Sequence, residues 1–386
     1  MKTIKNVWLA INSFFILAVA VSCSSKDNNP APPVVPKPTI TSFTPDSAQS
    51  GSTVTITGTN LTGATAVSFG GIPAASFNVT NATTIAAVVG AGGSGDVVVT
   101  TAGGTVTLSG FVLKAPDIDG YGSSDDIEPA YLIAHWPFDG SATEVKNNAN
   151  PVLMGGAQTY VSGRIGQALH LEAGWLTYGP EATAAGKDNT TYSSNDTLQN
   201  GFTVSLWAQV PDTSLLTSLF QLSTPNIPNW PILGINYRKH ADNSFDFDGG
   251  LTNVDGTGPH VSYASAFLEP AFYDSLDWAH IVMIYDGSNK SLKYYANGIL
   301  RDSINLVSMP GSPFPDPAAS LLMITPNYVN IGTFESSAST PGDAGNTVPD
   351  YMSAALTGNI DDIRFFRTPL TGDEVKALFD LGTAGR

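Results

Sequence analysis

Hydrophobic and polar positions alternate in short runs from residue 38 to about 114. The runs TITSFTP, STVTITG, AVSFGG, ASFNVTN, TIAAVVG, GDVVVTTAGG and TVTLSGFVL are separated by turn-forming residues, mostly glycine. In STVTITG, Val54 and Ile56 face one way while Thr53, Thr55 and Thr57 face the other, the period of a half-buried strand. Strands this short and this close together predict an immunoglobulin-like sandwich. From about 131 to 386 the strands lengthen and gain aromatics: LIAHWPF, GQALHLEAG, WLTYG, FTVSLWAQV, TSLFQL, WPILGINY, FDFDGGLT, HIVMIYD, LKYYANG, VNIGTF and GNIDDIRFF. One stretch switches to helical spacing, TGDEVKALFDLG, with Val375, Leu378 and Phe379 as its apolar stripe. Thr371 and Glu374 form a capping box at its start, and Gly382 is expected to end it. The pattern predicts an all-β chain: an N-terminal sandwich, then a larger two-sheet sandwich closed by a short helix.

Between these segments the pattern lapses. Residues 23–37 are polar and then proline-rich, which predicts an extended, stiff tether. Residues 115–130 (APDIDGYGSSDDIEPA) are acidic and turn-rich, and are expected to be a solvated linker. Asp117, Asp119, Asp125, Asp126 and Glu128 lack the ligand order of an EF-hand loop.

Composition narrows the class of partner. With 386 residues, 42% of them hydrophobic, the chain can bury more than one core. A formal net charge of −16 argues against nucleic acid and anionic lipid, both of which need clustered Lys and Arg. The five histidines (His135, His170, His240, His260 and His280) show no zinc-ligand spacing. Cys23 is the single cysteine, so no disulfide can form within the chain. Lys2 and Lys5, the apolar run Phe14 to Val21 and the small residues before Cys23 read as a secretory signal over 1–22. This stretch resembles a bacterial lipoprotein signal, which implies that Cys23 is lipidated and becomes the first mature residue. A plain signal peptide containing a cysteine is the alternative. Ser24 to Asn29 resembles the surface-export signals of Bacteroidota lipoproteins, with a single acid.

Two further resemblances rest on ordered motifs. Ile40-Thr41-Ser42-Phe43 with Pro45, Gly51, Val54-Thr55-Ile56-Thr57-Gly58-Thr59-Asn60-Leu61 and Val67-Ser68-Phe69-Gly70-Gly71 resemble an IPT/TIG domain over 38–114. That family implies a spacer. The second set begins with His135-Trp136-Pro137-Phe138-Asp139-Gly140, Gly163-Arg164-Ile165-Gly166-Gln167-Ala168-Leu169-His170-Leu171 and Phe202-Thr203-Val204-Ser205-Leu206-Trp207-Ala208. It continues with Trp278 to Gly287, Leu292 to Gly298, Asn330-Ile331-Gly332 and the closing NIDDIRFF. Over 131–386 these resemble a laminin-G-like (concanavalin A-like) jelly roll of the bacterial type. Its departures are the long stretches 179–200, 223–262 and 308–328, and loops usually carry specificity.

Candidate chemistry is sparse. Retaining glycoside hydrolysis needs two carboxylates about 5 Å apart. Asp246 and Asp248 share a strand face, but no Glu follows and Gly249-Gly250 end the run. There is no G-x-S-x-G elbow, and Tyr263 with His260 is the one local Tyr/His pair of the kind a lyase needs. The laminin-G-like resemblance implies a structural calcium where the first and last strands meet. Asp139 is the matching first-strand acid, and Asp361 or Asp362 would complete the site. Strict alternation puts Asp361 with Ile363 and Phe365, and Asp362 with Ile360 and Arg364, so one carboxylate must lie among apolar neighbours. Arg364 and Arg367 are the alternative partners.

Sugar rings stack their CH faces on aromatics. Trp230 stands near Asn226, Asn229, Asn236, Tyr237, Arg238, His240 and Tyr263, and Trp175 with Tyr178 flanks a stretch holding Tyr192 and Asn195. Trp230, Tyr237, Tyr263, Trp175 and Tyr178 are therefore the glycan-binding candidates, while Trp136, Trp207 and Trp278 are expected in the core. The expectation is a non-enzymatic outer-membrane lipoprotein, at the cell surface or facing the periplasm, that binds polysaccharide. An adhesin or protein-interaction module is the alternative, and a divergent glycan hydrolase or lyase the second.

Overall fold

The computed structural model describes residues 34–179, 198–210, 216–223, 233–239, 245–255, 258–268, 278–308, 312, 314, 321, 328–333 and 355–386. The chain forms two compact units that part after Lys114. Strands dominate both, and among the described residues no helix is long and apolar enough to cross a membrane.

The first unit runs β1 (Thr39–Thr44), β2 (Ser47–Gln49), β3 (Thr53–Thr59), β4 (Ala66–Phe69), β5 (Ile72–Pro73), β6 (Ser76–Asn81), β7 (Thr84–Val88), β8 (Gly95–Thr101) and β9 (Gly104–Lys114). One sheet has the order β1-β3-β7-β6 and the other β2-β9-β8-β4-β5. Val54 and Ile56 are buried while the three threonines around them are exposed, as the alternation requires. Ile85, Ala87, Val97 and Val99 fill the space between the sheets, with the Phe69 ring tilted against Phe111 at 4.7 Å.

The second unit opens with β10 (Leu132–Trp136), β11 (Leu153–Ser162), β12 (Gln167–Tyr178), β13 (Gly201–Gln209), β14 (Leu216–Ser223), β15 (Leu233–Lys239) and β16 (Phe245–Asp255). It continues through β17 (Gly258–Leu268), β18 (Ala279–Asp286), β19 (Ser291–Ala296), β20 (Ile299–Asn305), β21 (Tyr328–Ile331) and β22 (Leu356–Phe366) to helix α1 (Gly372–Thr383). One wing has the order β17-β16-β15-β14-β21-β12, and the other β13-β18-β19-β20. The long β22 joins them: its first half pairs with β12 and its second with β13 and β10. Inward residues of both wings, among them Trp136, Phe202, Phe220, Phe247 and Phe365, make one core. Each such side chain contributes about 1.5–3 kcal/mol on burial.

The outer face of the β13 wing is covered by α1. Thr371 caps the helix as expected, its hydroxyl accepting from the Glu374 amide at 3.3 Å. Gly382, expected to end the helix, lies inside its last turn. A Cβ there would come within 2.5 Å of Trp207, so the glycine lets the helix settle on the indole. Phe379 stacks on Trp207 at 5.7 Å. Trp207 is thus buried on the outer face beneath the helix, Trp136 is in the inter-sheet core, and Trp278 is only half-buried.

Residues 115–130, expected as a solvated linker, instead pack against the second unit. Ile127 is buried beside Val375 and Leu378, and Ile118 and Tyr121 pack against the same cluster. The acids have partners: Asp125 meets Arg364 Nη1 at 2.7 Å, and Asp119 meets Lys376 Nζ at 3.0 Å. Ser124 donates to the Arg386 carbonyl at 2.7 Å, and Arg386 donates back to the Pro116 carbonyl at 2.8 Å.

Candidate functional site

The acid pair of the closing strand comes first. Asp361 pairs with Trp207 and Arg364 with Ser205, so β22 carries one residue more than β13 over this interval. That extra residue is a β-bulge centred on Asp362, whose φ of 47° lies in the left-handed region that aspartate tolerates better than most residues. Strict alternation fails here. Ile360, Ile363 and Phe365 all face the core, and both carboxylates lie on the outer side with Trp207 and Arg364.

Their environments differ. Asp362 meets Arg364 Nε at 2.8 Å and His135 Nε2 at 2.7 Å. Burial alone would raise its pKa, but these two partners outweigh it and hold the carboxyl below the usual carboxylate range. Asp361 Oδ2 accepts from the Arg164 and Ile165 amides at 2.7 and 2.9 Å, while buried Oδ1 has no partner. Desolvation, reinforced by the charge of Asp362, raises its pKa to about 7 against the pull of those amides. Asp139 Oδ1 accepts from the Gln167 amide at 2.7 Å. The two acids thus grip one turn, residues 163–167, whose Gly163 and Gly166 leave room for them.

This arrangement does not suit the expected calcium. Asp362 spends both oxygens on Arg364 and His135, and Asp139 and Asp361 serve backbone donors. Among the described residues no group of three or more His, Cys, Asp or Glu is placed to hold a metal. Nor is the neighbouring Ser205 a nucleophile in a relay. Its hydroxyl meets His280 Nε2 at 2.8 Å, but both residues are buried and Asp362 is bonded to His135 and Arg364 instead. Burial holds the His280 pKa down to about 3, so the ring is neutral at ordinary pH.

The outer face of the other wing has a different character. On β12, Leu176 and Tyr178 point to the core, which leaves Trp175 and Thr177 on the far side. The same alternation puts Asn330 of β21, Ser218 and Gln221 of β14, and Gly234 and Asn236 of β15 on that face. Register aligns them into rows. Thr177, Asn330, Gln221, Gly234, Gly250 and Tyr263 are successive cross-strand partners, and Ser218, Asn236, Asp248 and Ser265 form the next row. Thr177 donates to Asn330 Oδ1 at 2.7 Å. The Trp175 indole lies over Gly155, where any side chain would collide with Nε1, Cε2 and Cζ2. At the seam, His170 Nδ1 meets Asn359 Oδ1 at 2.7 Å, and Asn359 donates to Gln209 at 2.6 Å.

The glycan candidates separate accordingly. Trp175 is half-buried and remains available. Tyr178 is not: it is 1% exposed, edge-on to Trp136, and its hydroxyl donates to the Ala142 carbonyl at 2.5 Å. Tyr237 is fully buried against Phe247. Both are core residues because alternation on β12 and β15 turns them inward. Tyr263 is the register partner of Gly250. Trp230 and Cys23 lie outside the described residues. Sequence reading missed Gln221, Asn330, Ser218 and Thr177. A polar residue inside an apolar run, as in SLFQLS, was the available signal.

The described chain is therefore an all-β molecule of two units, the larger with an amide-lined outer face. Residues 38–114 match the model of the IPT/TIG domain family. No curated protein matches the chain by sequence. Among solved structures, one similar to this chain is domain 4 of AbnA, a GH43 extracellular arabinanase from Geobacillus stearothermophilus, solved with arabinotriose. That similarity has 19% identity and a TM-score of 0.40, and covers 64% of this chain and 98% of that one. The binding domain of Paraclostridial Mosquitocidal Protein 1 is similar at 15% identity and a TM-score of 0.43, over 65% of this chain and 52% of that one. The botulinum neurotoxin DC binding domain, solved with rat synaptotagmin II, is similar at 12% identity and 0.41, over 66% and 52%. The chain spans about half the length of these two toxin domains.

Proposed function

We propose that the chain is a surface-held, non-enzymatic polysaccharide-binding protein, lipidated at Cys23, with the IPT/TIG unit as a spacer. The second unit takes the glycan at its outer face beside β12. The observation that carries this reading is Trp175, a half-buried indole seated over a glycine on the outer side of β12. An aromatic plane supplies a surface for sugar CH groups, and neighbouring amides and hydroxyls supply orientation. The buried, mutually satisfied state of Asp362, His135 and Arg364 favours binding over catalysis, since those groups are spent on the fold. The outer membrane, facing outward, is the location this reading requires.

Affinity electrophoresis of the full-length chain against a panel of polysaccharides tests it. At least one neutral glycan is expected to retard the protein, and Trp175→Ala to weaken that retention about tenfold, the effect of about 1.4 kcal/mol at a hot spot. Retention by no glycan would transfer the assignment to a protein-binding adhesin. Release of reducing ends would make it an enzyme.

A further inference from the structure

Strand β12 slips its period once. On the β11 side Gly155 pairs with Trp175 and Ala157 with Glu172, and on the β22 side Gly358 pairs with Leu171 and Leu356 with Gly174. Over this interval β12 therefore carries one residue more than either neighbour. The slip centres on Ala173, whose φ of 43° lies in the left-handed region. An alanine is strained there because its Cβ crowds the backbone, and such strain persists where the surroundings hold it. Here the Thr357 hydroxyl accepts from the Ala173 amide at 3.0 Å, and a Cβ on Gly156 opposite would collide with the Ala173 carbonyl. The bulge has one geometric result. Leu171 faces the core, and strict alternation would turn Trp175 inward with it; instead Leu176 turns inward and Trp175 joins the outer face. His170 is on that face already, since Leu169 and Leu171 point to the core.

Around His170 the register assembles an accessible row across four strands: Gln209, Asn359, His170 and Thr159. Thr159 is exposed and the other three are half-buried. Asn359 Nδ2 donates to Gln209 Oε1 at 2.6 Å, so its Oδ1 accepts from His170 Nδ1 at 2.7 Å. In the neutral imidazole this leaves Nε2 as an acceptor. Among the described residues neither Nε2 nor the second Nδ2 hydrogen of Asn359 has a partner. A fixed donor and a fixed acceptor thus stand on adjacent strands, whose axes are about 5 Å apart. Neighbouring hydroxyls of one sugar ring match that pair, one accepting from Asn359 and the next donating to His170. The β11 partners of Trp175 and His170, Gly155 and Thr159, lie four residues apart, roughly 13 Å and longer than one ring. Glu172, exposed between them, adds acceptors on the same face.

We propose that Trp175 and the His170–Asn359 pair are the two ends of one oligosaccharide strip along β12, brought to a single face by the bulge at Ala173. One ring stacks on Trp175, and a ring further along the same chain places a vicinal diol on Asn359 Nδ2 and His170 Nε2. The ligand class is a glycan of several residues with a free diol, bound along its length. This rests on the glycan-binding reading above and adds the length of the ligand and the residues that orient it.

Isothermal titration of the full-length chain tests it with cello-, manno-, xylo- and arabino-oligosaccharides, each as disaccharide and hexasaccharide. In at least one series the hexasaccharide is expected to bind at least about tenfold more tightly than the disaccharide. His170→Leu is expected to abolish that gain with a melting temperature near wild type, because His170 and Asn359 are both reachable by water. His170→Gln can still donate to Asn359 and accept from a hydroxyl, so it should keep most of the gain. Trp175→Ala should weaken both lengths alike. Equal affinity for the two lengths in wild type, or a length gain that survives His170→Leu, would overturn the strip while leaving glycan binding at Trp175 standing. Failure of the wild-type chain to bind any glycan would overturn both.

Discussion

A single extra residue decides what the acid pair can do. Because β22 bulges at Asp362, both carboxylates leave the core side, and each is then fixed by a different neighbour. Asp361 keeps one bare buried oxygen, and its raised pKa of about 7 has a definite thermodynamic sign. Its folded pKa lies above the unfolded value, so its contribution is fully present below about pH 4 and is lost as pH rises through about 7. Asp361→Asn keeps an acceptor for the Arg164 and Ile165 amides and carries no charge. It is expected to raise the melting temperature at pH 8 by about 2–4 °C, with a smaller gain at pH 5 and none below about pH 4, as thermal melts across these pH values would show. A variant less stable than wild type at pH 8 would refute the role given to the bare oxygen. The pair was legible in the sequence, but its orientation was not. Alternation is a rule of period two, and nothing in IDDIRFF announces where the period slips.

At the scale of elements, what could be read locally was read correctly. Val54 and Ile56 alternate as the sequence shows, and Thr371 with Glu374 caps α1 as the four-residue motif requires. Elements defined by distant partners were less legible. Residues 115–130 look solvated because their acids have no cation nearby in sequence, yet Arg364 lies 239 positions from Asp125. The polar rows were hidden for the same reason, since each strand contributes one or two members and only the register assembles them. Helix α1 gives a measurable consequence. Thr371→Ala removes the cap that holds its first turn, at a cost of about 1 kcal/mol. Because the helix covers Trp207, the loss should appear as a red-shifted, more quenchable tryptophan emission together with lower stability in urea.

At the scale of the molecule, the two units have separate hydrophobic clusters, and residues 115–130 belong wholly to the second. A chain built this way should melt as two units. Calorimetry of the full chain is expected to show two transitions, one of them reproduced at the same temperature by residues 115–386 alone. One merged transition in the full chain, shifted in the fragment, would mean that the units stabilise each other.

The position of β22 has a consequence for the order in which the molecule can be made. It follows every other described strand in sequence, yet it supplies neighbours to β10, β12 and β13. A growing chain therefore holds two incomplete wings with open edges until residue 366 has emerged. The first unit has all its partners by residue 114 and can fold while the rest is still being synthesised. The second unit keeps unpaired strand edges through most of its synthesis, and the late arrival of one strand commits the whole sandwich at once.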